Sequence, residues 1–161
     1  MSAPTRAFEL TEPALESWGR AVGRAAAESS VFVCLYGELG AGKSTLARAA
    51  CRGAGVMGPV PSPTFTLVNQ YHGKAGLVIQ HSDLYRIEAG EALRDMGWED
   101  LLWAEGPVFV EWADRAEGYL PEDRWDIHLG FVSDPSVRRV VPTARGGAPP
   151  IPEPEHRSGG C

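Results

Sequence analysis

The sequence predicts an α/β fold with a mixed, mainly parallel central sheet flanked by helices. Residues 31–36 form a continuous apolar run of strand length. Such a run is typical of a strand that is covered on both faces, as in a parallel sheet. A glycine-rich segment and a helical pattern follow this run directly, and further strand and helix patterns follow those. This order of elements gives the α/β class.

Two helices are predicted around the first strand. Thr11 is a suitable N-cap with Pro13 in the first turn. Apolar residues then recur at helical spacing, at Leu15, Trp18, Val22 and Ala26. Residues 44–52 form the second predicted helix, which Gly53 and Gly55 end.

The remaining chain predicts more strands and one further helix. The strand-like segments are residues 65–71, 77–81, 107–112, 125–131 and 137–141. The first two are joined by a short glycine-containing link and predict a hairpin, which makes the sheet mixed. The last two predict a late strand pair. Residues 91–103 predict a helix, although Gly97 interrupts its pattern.

The length of 161 residues predicts one domain, which we place at residues 1–141. Residues 142–161 are rich in proline, glycine and charge, so we expect a disordered C-terminal tail. The net charge of −6 argues against autonomous nucleic-acid binding. The sequence has no apolar run of membrane-spanning length and no signal-peptide pattern, so we expect a cytoplasmic protein without membrane contact. Cys34, Cys51 and Cys161 are too widely spaced for a disulfide framework or a zinc site.

The glycine-rich segment, residues 37–44, matches the pattern G-x-x-x-x-G-K-[ST] in full. We call it the phosphate loop. Its glycines let the backbone point N–H groups inward, and the helix that follows adds its positive end. A lysine in this pattern contacts the β- and γ-phosphates, and the hydroxyl after it faces Mg²⁺. The residues expected to contact nucleotide are Gly37, Glu38, Leu39, Gly40, Ala41, Gly42, Lys43, Ser44 and Thr45.

The alternative is a glycine-rich turn that merely connects a strand to a helix. The position of the segment between an apolar strand and a helix favours the nucleotide site. The sequence lacks the Asn-Lys-x-Asp and Asp-x-x-Gly patterns of GTPases. We therefore expect ATP, with Mg²⁺, as the ligand.

Two carboxylates follow predicted strands. Glu111 comes directly after the apolar residues 108–110, where a P-loop site needs an acidic group for Mg²⁺ or its water. Asp83 ends the run 77–82 and is a candidate for orienting the attacking water or for indirect metal binding. The alternatives are an ordinary strand-end residue for Glu111 and a turn or cap residue for Asp83; for Asp83 the two possibilities are even.

Other polar and aromatic residues carry weaker signals. Thr64 lies in the proline-stiffened segment 62–66, which can sense a γ-phosphate or can be an ordinary linker. The histidines show no ligand spacing and are expected to be surface or core filler. Trp18, Trp98, Trp103 and Trp125 are expected to be packing residues, whereas Trp112 directly follows Glu111.

Taken together, these motifs resemble the bacterial TsaE (YjeE) family, the ATPase of tRNA threonylcarbamoyladenosine formation. The resemblance runs from about residue 10 to residue 141. It is carried by four segments, which are Tyr-Gly-Glu-Leu-Gly-Ala-Gly-Lys-Ser-Thr at 36–45, Ser-Pro-Thr-Phe-Thr-Leu-Val at 62–68, His-Ser-Asp-Leu-Tyr-Arg at 81–86, and Val-Glu-Trp at 110–112.

The resemblance implies a P-loop NTPase that hydrolyses ATP weakly and acts with two partners, a threonylcarbamoyl transferase and its inactive paralogue. Together they would modify the adenosine next to the anticodon in tRNAs that read codons beginning with A. Contact with tRNA would be indirect, through the complex. By the same resemblance Ser44 and Glu111 are magnesium residues, Thr64 lies in a switch-like loop and Asp83 supports hydrolysis.

The chain departs from the family's pattern near the N-terminus. The family usually has threonine where this chain has Leu15, so Thr11 and Glu12 are the candidates for the N-terminal nucleotide contact. Two other functions compete with the accessory ATPase. They are a small-molecule kinase built on the same loop and a nucleotide-dependent binding module with negligible turnover.

Overall fold

The computed structural model describes residues 6–60, 68–88 and 90–155, which form one seven-stranded sheet with helices on both faces. The strands are β1 (Phe8–Thr11), β2 (Phe32–Tyr36), β3 (Val68–His72), β4 (Val78–Asp83), β5 (Val108–Glu111), β6 (Arg124–Phe131) and β7 (Val137–Arg145). The α-helices are α1 (Glu12–Ser29), α2 (Lys43–Gly53), α3 (Gly90–Asp95) and α4 (Trp98–Leu102). Short 3₁₀ turns lie at Lys74–Gly76 and Ala113–Ala116.

The strand order across the sheet is β1-β7-β6-β2-β5-β4-β3. The four central strands β6, β2, β5 and β4 run parallel to one another. The outer strands β1, β7 and β3 pair antiparallel with their neighbours. The predicted α/β class, the mixed sheet, the β3–β4 hairpin and the late β6–β7 pair are therefore confirmed.

Alternating side chains divide the core between the two faces of the sheet. On one face Val33, Phe109 and Ile127 pack in a core cluster with Leu15 and Leu46 of the long helices α1 and α2. On the other face Phe32, Cys34 and Val110 pack with Trp98 and Leu101 of α4. The central strands are buried on both sides, as the continuous apolar run of β2 predicts.

The helix predicted over residues 91–103 is in fact two short helices, α3 and α4. Gly97 lies between them with φ 88°, a left-handed conformation that glycine adopts without steric cost. The prediction that Trp103 is a packing residue was also wrong. Trp103 follows α4 and is 85% exposed, whereas Trp98 on the same helix is buried.

The predicted domain boundary after residue 141 was wrong, because β7 continues to Arg145 and pairs with β6 along its length. The next ten residues are also packed on the domain. The indole N–H of Trp125 donates to the carbonyl of Pro149, and that of Trp18 donates to the carbonyl of Pro152, each at 2.7 Å. Ile151 is partly buried and packs against the core cluster that contains Leu15 and Leu46.

The segment after β7 packs on the domain despite its proline content, because proline lacks an N–H but keeps a carbonyl that accepts hydrogen bonds. A proline-rich segment can therefore satisfy two buried indoles without forming a helix or a strand. Composition alone indicated only its low apolar content. The last residues of the predicted tail, 156–161, lie outside the described residues.

Within the described part of the chain, no helix combines the length and the apolar character needed to cross a membrane. Cys34 and Cys51 are both buried free thiols. Burial is the main cause that raises the pKa of Cys51 to about 12, and burial also raises that of Cys34. Cys34 is thus the core residue that its apolar neighbours predict.

Candidate functional site

The phosphate loop connects the end of β2 to the start of α2 at the carboxyl edge of the parallel strands. Gly37, Gly40 and Gly42 have φ values of 151°, 84° and 107°. These values lie where side chains other than glycine are strained. At Gly37 an added Cβ would also lie 2.6 Å from the carbonyl oxygen of Leu129. The loop conformation therefore depends on the glycines of the predicted motif.

Lys43 begins α2, and its ammonium group lies over the phosphate loop. Its side chain donates to the carbonyl oxygen of Gly37 and, at 2.8 Å, to that of Glu38. The Nζ atom also lies 4.1 Å from the ring centroid of Trp112, a cation–π distance. Burial lowers the pKa of Lys43, while the nearby carboxylates, Glu111 first, oppose that shift.

Glu111 ends β5 and is almost completely buried, with 1% exposure. Its Oε1 atom accepts a hydrogen bond from the hydroxyl of Ser44 at 2.7 Å. Its Oε2 atom lies 2.6 Å from Nε2 of His81, which is fully buried on β4. The fold thus brings together Ser44 and Glu111, the two residues that the sequence nominates for Mg²⁺.

Asp83 ends β4 and is the register partner of Glu111 on the neighbouring parallel strand. Its Oδ1 atom accepts a hydrogen bond from the backbone N–H of Tyr85 at 3.0 Å. Burial raises the pKa of Asp83, and the charge of Glu111 adds to the shift, while the Tyr85 hydrogen bond opposes it. Asp83 therefore lies at the same sheet edge as Glu111, with a carboxylate that is only partly accessible.

Thr11 and Glu12 lie beside the phosphate loop at the start of α1. The hydroxyl of Thr11 accepts from the N–H of Ala14 at 3.4 Å and caps the helix, as predicted. Both residues line a pocket of about 410 Å³. Its other lining residues include Gly40, Gly42 and Thr45 on one side and Pro135, Ser136 and Arg138 on the other. This pocket borders the phosphate loop, and Glu111 is not one of its lining residues.

Two other residues of the phosphate loop differ in their exposure. Leu39 is 74% exposed, whereas Ala41 is completely buried. The backbone N–H of Ala41 donates to the carbonyl of Glu38 at 3.0 Å, which closes the turn. Thr64, the predicted residue of the switch-like loop, lies outside the described residues.

Sequence reasoning missed one residue of the site and left the role of a second open. His81 was expected to be filler, yet it contacts Glu111 directly. The sequence did contain a signal for His81, which lies two residues before Asp83. Residues two apart on a strand share a face of the sheet. The sequence did not decide whether Trp112 is a packing residue or part of the site. Trp112 has φ 56°, and its ring contacts Lys43 and lies 5.0 Å from the ring of Tyr85.

The side chains at the loop suit a magnesium ion that is carried by a nucleotide. Mg²⁺ prefers oxygen ligands and is usually bound by one or two protein groups together with substrate phosphates and water. Ser44 and Glu111 supply one hydroxyl and one carboxylate oxygen. Among the described residues no group of three or more His, Cys, Asp or Glu side chains could hold a metal ion.

A parallel strand, a glycine loop with its lysine, a helix and a strand-end carboxylate together define a P-loop NTPase fold. The model of the family described as "Threonylcarbamoyl adenosine biosynthesis protein TsaE" matches residues 10–140. The chain therefore belongs to the TsaE family, and the resemblance noted in its motifs is confirmed.

Individual relatives agree with this assignment. The chain is 40% identical over 107 residues to the tRNA threonylcarbamoyladenosine biosynthesis protein TsaE of Haemophilus influenzae, which covers 66% of this chain and 67% of that protein. It is 35% identical over 140 residues to the protein of that name from Nostoc sp., covering 85% of each. The crystal structure of Bacillus subtilis YdiB matches with a TM-score of 0.69 and 26% identity over 90% of both chains.

Proposed function

We propose that this protein is an ATP-binding, weakly ATP-hydrolysing accessory protein that is required to form N6-threonylcarbamoyladenosine next to the anticodon of tRNAs reading codons beginning with A. Family membership supports the pathway. The observation that carries the nucleotide chemistry is the contact between Ser44 and Glu111 beside the glycine loop, at 2.7 Å. The expected partners are the threonylcarbamoyl transferase and its inactive paralogue, and the expected compartment is the cytoplasm.

In this proposal the phosphates of ATP bind the inward N–H groups of residues 37–44 and the ammonium of Lys43. Lys43 already faces the carbonyl oxygens of the loop, so the phosphates would replace those acceptors. Thr45 follows on α2 and is expected to reach the α-phosphate. The pocket beside Thr11 and Glu12 borders Gly42 and Thr45, so it is the proposed location of the nucleoside.

Ser44 and Glu111 would hold Mg²⁺, which neutralises negative charge on the phosphate oxygens when it is bound. Both residues present oxygen atoms, and both are fixed by elements of the core, α2 and β5. Asp83 lies one strand away and would orient the attacking water. Thr64 would belong to the loop that senses the γ-phosphate.

Reconstitution tests this function. The purified chain, the transferase, its paralogue and unmodified tRNA are combined with ATP and a threonylcarbamoyl donor, and modified adenosine and released phosphate are measured. We expect repeated rounds of modification only when this chain and ATP are present. Undiminished modification without the chain, or transfer of the γ-phosphate to a small-molecule acceptor, would contradict the proposal.

A further inference from the structure

The structure points to a role for His81 that deepens the proposed function and rests on it. We propose that His81 is a positioning residue for the magnesium carboxylate: its Nε2–H holds Oε2 of Glu111, which keeps Oε1 turned toward Ser44. His81 itself would touch neither nucleotide nor metal.

The first step in the argument is the geometry of the Glu111 carboxylate. One oxygen contacts Nε2 of His81 at 2.6 Å, and the other contacts the hydroxyl of Ser44 at 2.7 Å. A carboxylate that binds Mg²⁺ is ionised and only accepts hydrogen bonds, so in the proposed role the histidine Nε2 is the donor. With one oxygen fixed in this way, rotation of the carboxylate would break a short hydrogen bond between two side chains that are only 0% and 1% exposed.

The second step concerns what else the histidine ring does. His81 is completely buried, and its Nδ1 atom has no hydrogen-bond partner among the described residues. A buried polar group with an unsatisfied atom costs stability, so an apolar side chain would serve better if packing were the only requirement. The contact with Glu111 is the one polar interaction the structure describes that offsets this cost.

The third step is that this arrangement is a known physical device. Side chains that hydrogen-bond a ligating carboxylate or histidine orient it, and their loss typically reduces metal affinity or activity by roughly 10- to 100-fold. His81 and Glu111 are placed for this by the parallel pairing of β4 and β5, which puts Asp83 opposite Glu111 and His81 one pleat earlier on the same face.

The test uses two amides that differ in where they place their donor. The side-chain nitrogen of glutamine can take the position of Nε2, whereas that of asparagine is nearer to Nδ1 and falls short of Glu111. We would measure the ATP affinity of the parent, His81→Gln and His81→Asn by calorimetry, once with Mg²⁺ and once with EDTA. The ratio of the two affinities is the gain that the metal gives to binding.

We expect His81→Asn to lose roughly 10- to 100-fold of this gain while its ATP affinity in EDTA is unchanged. His81→Gln should keep the gain to within about threefold of the parent, since it restores the donor. Gln80→Ala is the matched control. Gln80 is buried on the same strand and contacts Gln70, so its replacement disturbs β4 without touching Glu111.

The outcomes separate this inference from the proposed function. A parent that binds ATP equally with Mg²⁺ and with EDTA would overturn the proposed magnesium chemistry as a whole. A parent that shows the gain, with His81→Asn retaining all of it, would overturn only the role of His81. If His81→Asn fails to fold by circular dichroism, His81→Gln decides, because loss of the gain in that folded variant contradicts the role.

Discussion

The hydroxyl of Ser44 donates a 2.7 Å hydrogen bond to Glu111 across 67 residues of sequence. Ser44 is fixed at the start of α2 by the glycine loop, and Glu111 is fixed at the end of β5 between two parallel neighbours. The contact therefore joins the phosphate loop to the sheet edge.

Glu111→Ala should weaken the binding of Mg²⁺-ATP and also stop turnover, because it removes the carboxylate from the proposed metal position. Its ATP affinity in EDTA should change little. Calorimetry and phosphate-release assays measure the two effects. Glu105→Ala is the control, since Glu105 is an exposed acidic residue just before the same strand. Normal affinity for Mg²⁺-ATP in Glu111→Ala would reduce Glu111 to a strand-end residue.

Asp83→Ala should separate binding from hydrolysis. Asp83 is one strand away from Glu111 and makes no hydrogen bond to Ser44 in the part of the chain that the structure describes. We expect near-parental nucleotide affinity and a fall in hydrolysis of roughly 10²-fold or more, the scale for loss of a positioning or base group. A complex with the partner proteins that needs hydrolysis for release should then persist longer. Full hydrolysis would exclude Asp83 from the mechanism.

Asp83→Asn should raise the stability of the ligand-free chain at neutral pH. Burial raises the pKa of Asp83 in the native chain above 3.8, the ordinary value that applies to the unfolded chain. Between the unfolded and the native pKa, the native chain therefore binds more protons than the unfolded chain. The free energy of unfolding therefore falls as pH rises through that interval. Asparagine does not ionise, so its advantage over the parent should grow as pH rises above 3.8 and become constant above the raised pKa. Melting curves at several pH values in EDTA measure this; a constant difference would contradict it.

Deleting residues 146–161 should destabilise the fold. The indoles of Trp18 and Trp125 would exchange their carbonyl acceptors for water, and each lost intramolecular hydrogen bond costs about 0.5–1.5 kcal/mol. For a chain of this size the two losses together lower Tm by roughly 2–10 °C. The control deletes only residues 156–161 and keeps every contact named above. An unchanged Tm in the longer deletion would show that these contacts contribute nothing to stability.

The sequence predicts those parts of the site that local chemistry determines. The phosphate loop is one contiguous motif, and Glu111 directly follows an apolar strand, so both could be found without knowing the fold. The spacing of His81 from Asp83 predicts that both lie on one face of β4, but the contact of His81 with Glu111 depends on which strand lies beside β4. The β5 neighbour is separated from β4 by two helices.

The errors at the C-terminus have a related cause. Proline and glycine content predicts poor burial of apolar surface, and residues 146–155 do form neither helix nor strand. Their order comes from two indole donors, Trp18 and Trp125, that are far away in sequence. Similarly, the four-residue strand β1 is too short to be recognised by its alternation alone, and it is defined by pairing with β7.

Calorimetric titration of ATP in the presence of Mg²⁺ into the parent chain and Lys43→Ala tests the central claim most directly. Lys43 is the buried cation of the phosphate loop, whereas Lys74→Ala removes an exposed lysine from a hairpin turn and serves as the control. We predict that Lys43→Ala loses roughly 10-fold or more in affinity, the scale of a lost hydrogen bond to a charged group, while Lys74→Ala matches the parent. Equal ATP affinity in the parent and Lys43→Ala would contradict the assignment of residues 37–44 as a nucleotide site.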